Sequence, residues 1–95
     1  MKTYPWDASE YIDSPETARL YLTFALEEAI ETGDHGIVTS ALGDIAKARG
    51  MSEVAREAGV TREALYKALR REGDPKLSTI IGVLRALGVK LTAAA

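Results

Sequence analysis

Apolar residues recur every three or four positions along most of this chain, and the recurrence breaks at a few sharply defined places. Ala18, Tyr21, Leu22, Ala25, Leu26, Ala29 and Ile30 form the buried stripe expected of one amphipathic helix. Ser14 as N-cap, Pro15 at the first helical position and Glu16 in the first turn set its start, and Thr32-Gly33-Asp34 stops it. Ile37, Val38, Ala41, Leu42, Ile45 and Ala46 predict a second helix over Asp34 to Arg49, capped by Asp34 and closed by Gly50. Gly43 costs that helix about 1 kcal/mol relative to Ala, which points to close packing at this position. After the break Glu72-Gly73-Asp74-Pro75, the repeat Leu77, Ile80, Ile81, Leu84 and Leu87 predicts a last helix that stops at Gly88.

Between these helices lies MSEVAREAGVTREALYKALRR, Met51 to Arg71, which has the pattern of a helix-turn-helix. A short helix carries Val54, Ala55 and Ala58, the chain breaks at Gly59-Val60, and a second helix carries Leu65, Ala68 and Leu69. Helices joined by so short a turn nearly touch where they cross, so the first needs a small residue there, and Ala55 supplies it. Gly59 suits the left-handed conformation that ends the first helix. Val60 fills the corner, Thr61 offers a hydroxyl to cap the second helix, and Glu63 adds favourable charge in its first turn. Arg62, Glu63, Tyr66, Lys67, Arg70 and Arg71 are left for solvent or a partner. In a DNA-binding member of this class, the start of the second helix reaches base edges and flanking residues hold phosphates. Arg suits guanine O6 and N7, and Glu accepts from cytosine N4. Helix-turn-helix geometry also occurs in domains that contact no DNA, so the exposed residues carry the functional reading rather than the fold.

The two ends follow no helical period. In MKTYPWDASEYID, Tyr4 and Trp6 flank Pro5, which fits an edge strand or an extended arm and excludes a central strand. Such aromatics either pack on their own domain or anchor on a partner. Val89-Lys90-Leu91 alternates and predicts a short C-terminal strand. Its partner would be the arm, a second subunit or another protein's sheet edge. One domain is expected, with an acidic arm and first helix over 1–33, a helix-turn-helix core over 34–91 and a frayed tail over 92–95.

Charge divides along the chain in the same way. The net charge of −2 counts against nucleic-acid binding only while it is treated as a whole. Residues 1–33 hold seven acids and two bases, whereas residues 34–95 hold seven acids and ten bases. A basic C-terminal part and an acidic N-terminal part suggest partners of opposite sign. On the first helix Leu20 and Phe24 fall outside the stripe, among Glu16, Glu27 and Glu31. An apolar pair at i, i+4 with an acidic rim is a candidate contact for a dimer or a protein partner, unless the arm folds over it.

Other chemistry finds little support. The chain has no cysteine, which removes disulfides and thiolate metal sites. His35 is its one histidine and has no second ligand in the sequence, so it is read as a surface residue. Neither a phosphate-cradling glycine motif nor a recognisable pair of carboxylates is present, so no enzyme, cofactor or metal is expected. With no apolar run of membrane-spanning length and no signal-peptide core, a cytoplasmic protein without membrane association is the expectation.

The run from Ala41 to Leu91, ALGDIAKARGMSEVAREAGVTREALYKALRREGDPKLSTIIGVLRALGVKL, resembles the addiction-module antidote proteins, the antitoxin halves of toxin–antitoxin pairs. ALGDIAKARGMS and LYKALRREGDP carry most of the likeness, and the arm and first helix resemble the family more loosely. The resemblance implies an all-α, five-helix, lambda-repressor-like helix-turn-helix domain. It also implies a homodimer that represses its own operon by binding double-stranded operator DNA, and that neutralises a RelE/ParE-like ribonuclease toxin. Carried onto this chain, Arg62, Glu63 and Lys67 take base-facing positions, and Thr61, Tyr66 and Arg70 take positions near the DNA backbone. The chain departs from a strong DNA binder in its modest basicity, which makes dimerisation or a toxin's added positive charge more necessary. The acidic part, with Leu20, Phe24, Tyr4 and Trp6, is the expected toxin contact. The alternative is a protein-binding antitoxin in which the helix-turn-helix is mainly scaffold.

Overall fold

Ser14, extended at φ −155° and ψ 160°, turns the chain into its longest helix by accepting the Thr17 N–H on its hydroxyl at 3.1 Å. The structure is a computed structural model and describes residues 8–94. Among these residues one 3-10 turn, Ala8–Tyr11, precedes five helices: α1 (Pro15–Thr32), α2 (Gly36–Arg49), α3 (Met51–Ala58), α4 (Arg62–Ala68) and α5 (Leu77–Leu87). α2 runs through the middle and packs on α1, α3 and α5, while α3 also carries α4 and α5. The core gathers where these helices meet, around Leu22, Leu42, Ile45, Val54, Leu65 and Val83, each nearly inaccessible to solvent.

Two polar ties fix the long helices against each other. The Tyr21 hydroxyl donates to the Asp44 carboxylate at 2.6 Å, joining α1 to α2. The Arg49 guanidinium donates to the Leu87 carbonyl at 3.1 Å and the Ala86 carbonyl at 3.3 Å. It thereby satisfies carbonyls that the last turn of α5 leaves without a helical partner.

Four expectations need correction. Ile30, placed in the buried stripe of α1, is 80% exposed. At 100° per residue it lies roughly 110° from the centre of the stripe formed by Ala18, Leu22, Ala25 and Ala29. Leu77 and Ile81 are also exposed, because the inner face of α5 is carried by Val83, Leu84, Ala86 and Leu87. α2 begins at Gly36 rather than Asp34, yet Asp34 still acts near its start: Oδ1 accepts the Gly36 N–H at 3.0 Å.

The fourth is the C-terminal strand over Val89–Leu91, since no strand occurs among the described residues. The Val89 N–H donates to the Leu84 carbonyl at 3.0 Å, so the residue completes the C-terminal cap of α5 and its amide is not free for a ladder. The arm that carries Tyr4 and Trp6 lies outside the described residues.

Candidate nucleic-acid interface

The two helices expected over Met51 to Arg71 are present as α3 and α4, and each device between them is in place. Ala55 is buried in the core. Gly59 takes φ +78°, a conformation that would strain any residue with a Cβ. The Val60 N–H donates to the Ala55 carbonyl at 3.0 Å, which closes α3. Thr61 Oγ1 then accepts the Ala64 N–H at 3.0 Å and opens α4. Leu65, at 0% exposure, fixes the rotation of α4 about its axis.

With Leu65 and Leu69 inward, Arg62, Glu63, Tyr66 and Lys67 project into solvent from α4. Arg70 and Arg71 lie just beyond its end, which falls at Leu69. Arg62, Glu63, Tyr66 and Lys67 line one open hollow together with Met51 and Lys47. A second hollow, along the seam between α2 and α4, is lined by Lys47, Tyr66 and Arg70 with Ser40, Gly43 and Asp44. Lys47 received no role from the sequence, although its spacing four residues after Gly43 on a helix places both on one face.

The segment after α4 is tied to the start of α2. The buried hydroxyl of Thr39 donates to the Arg70 carbonyl at 2.9 Å. The Arg71 guanidinium donates to the Asp34 carboxylate in an exposed ion pair, and Arg71 lines neither of the two hollows that Arg62, Tyr66, Lys67 and Arg70 border. His35 Nε2 lies 3.3 Å from the Gly73 carbonyl and 3.8 Å from the Asp74 carboxylate, in an exposed position. No cluster of three or more metal-binding side chains occurs among the described residues.

A different surface lies on α1. Leu20 and Phe24 are 60% and 66% exposed, side by side among the exposed Glu16, Glu27 and Glu31. Among the described residues, no helix is long and apolar enough to cross a membrane.

Arrangement and charge thus define a small helical protein with a basic strip on one short helix and an acidic, partly apolar face on its first. Over residues 2–95 the chain matches the family described as "Probable addiction module antidote protein", and it belongs to that family. A protein of Haemophilus influenzae strain Rd, described as an uncharacterized protein, is 44% identical over 85 residues, which cover 90% of this chain and 84% of that relative. No solved structure matches the chain. An addiction-module antidote is an antitoxin, and membership implies a toxin as partner in general.

Proposed function

We propose that this antitoxin is also the transcriptional repressor of its own operon, binding operator DNA through α4 as a two-fold dimer in the cytoplasm. The observation that carries this reading is the outward face of α4. Arg62 and Lys67 stand clear of the core with Glu63 and Tyr66 between them, on a helix whose rotation Leu65 fixes. Arg62 and Lys67 provide donors for guanine edges, Glu63 an acceptor for cytosine, and Thr61, Tyr66 and Arg70 flank them toward the phosphates. The dimensions of the subunit, 35 × 31 × 26 Å, suit side-by-side pairing, because two half-sites one helical turn apart are separated by about 34 Å.

The toxin contact is assigned to α1. Leu20 and Phe24 offer apolar area, and Glu16, Glu27 and Glu31 offer charge complementary to a basic partner such as a RelE/ParE-like toxin. The same acids oppose pairing of two α1 faces across a two-fold axis, since like charges would meet. That face also supports a second reading, in which toxin binding is the main activity and the helix-turn-helix is scaffold. Neither reading requires catalysis or a cofactor.

Substitution at α4 tests the proposal. Arg62→Ala and Lys67→Ala are expected to weaken operator binding without unfolding the domain, as both side chains are exposed. Unchanged operator affinity in both variants would shift the function to α1 alone.

A further inference from the structure

We infer that Lys47, which lies on α2 outside the helix-turn-helix, is a phosphate contact, and that a nucleic-acid backbone runs along the seam between α2 and α4. This rests on the DNA-binding reading of α4 and extends its footprint to a third helix. The geometry begins with glycine. Gly36 and Gly43 lie seven residues apart on one face of α2, where a Cβ at Gly36 would sit 2.6 Å from the Arg71 carbonyl and one at Gly43 would overlap the Leu69 carbonyl. Both glycines let the end of α4 and the turn beyond it lie directly on α2. One turn past Gly43, the same face of α2 presents Lys47.

Lys47 is therefore brought to the wall facing α4. It shares one hollow with Arg62, Tyr66 and Lys67, and the adjoining hollow with Tyr66 and Arg70. Lys47, Arg62, Lys67 and Arg70, from α2, α4 and the turn after it, thus each border a hollow that the exposed ring of Tyr66 also lines. The acids lining these hollows are Glu63 and Asp44, and Asp44 also accepts the Tyr21 hydroxyl. A backbone lying over the hollow that Arg62, Lys67 and Lys47 share comes within reach of all three, and a flexible ammonium serves phosphate as a point charge without reading sequence.

The test compares wild type, Lys47→Gln and Lys90→Gln, the last removing an exposed charge at the far end of the chain. Binding to DNA from the protein's own promoter and to scrambled DNA of equal length is measured over a salt series, with circular dichroism to follow folding. Lys47→Gln should weaken binding to both DNAs alike and lower the salt slope by about one. Its deficit against wild type should shrink by roughly three- to fourfold between 50 and 200 mM salt. If wild type binds and Lys47→Gln matches Lys90→Gln in affinity and slope, Lys47 is no contact and the α4 reading survives. If wild type binds neither DNA, both inferences fall together.

Discussion

Gly43 on α2 leaves no room for a side chain, because the carbonyl oxygen of Leu69 at the end of α4 occupies the place of its missing Cβ. The neighbour is backbone and cannot rotate away. Gly43→Ala must therefore push the end of α4 off α2, an overpacking change that costs about 1–3 kcal/mol even though alanine is the better helix former. Urea unfolding should show a lower midpoint with little change in slope. A variant as stable as wild type would mean that the contact is loose enough to relax.

The start of α4 depends on a single hydroxyl. Thr61→Ala removes the acceptor of the Ala64 N–H and should cost about 1 kcal/mol, whereas Thr61→Ser should retain most of the stability. Leu65→Ala, which empties the fully buried position beneath the same helix, should cost about 2–5 kcal/mol. Thermal unfolding of the three variants ranks them, and a Thr61→Ala loss as large as that of Leu65→Ala would contradict the capping account.

Arg62 and Lys67 are expected to contribute differently from the residues that flank them. Arg62→Ala should relax specificity at one operator base pair and cost about 1–3 kcal/mol there. Arg70→Ala should weaken operator and scrambled DNA alike and reduce the salt slope by about one. Binding to a panel of single-base operator variants separates the two, and equal behaviour of both substitutions would deny Arg62 a base-reading role.

On α1, Phe24→Asp replaces an exposed ring within an acidic surface. Stability should change by no more than about 0.5 kcal/mol, since the side chain is outside the core. If the proposed contact on α1 holds, association with the partner toxin should fall at least tenfold, because an aromatic of that contact is lost. Undiminished association would place the toxin elsewhere on the molecule.

Much of this architecture was legible because local chemistry and packing agree. Ser14, Pro15, Gly59 and Thr61 act at helix ends as their side chains or φ preferences dictate, and Leu65 and Leu69 lie inward as the period requires. Gly43 was legible as a point of close packing, but the partner, Leu69, was not, since it is 26 residues away and nothing local names it. Ile30, Leu77 and Ile81 failed for a related reason: apolar residues mark a face, and only the neighbouring helices decide how wide the covered part of it is. Val89-Lys90-Leu91 alternates like a strand, but the Val89 amide is taken up by the cap of α5. Of the candidate site, the outward set on α4 followed from the helical period. The pairing of Arg71 with Asp34 and the approach of Lys47 to Tyr66 depend on how α2 lies against α4, which no periodicity encodes.

Whether α4 reads operator DNA is decided by binding of the purified protein to DNA from its own promoter, against scrambled DNA of equal length, at two salt concentrations. An operator-reading α4 should bind the promoter preferentially, with an affinity that weakens steeply as salt rises, as for proteins that make several phosphate contacts. Equal and weak binding to both DNAs at both salts would contradict it, and would leave the acidic face of α1 as the working surface of this antitoxin.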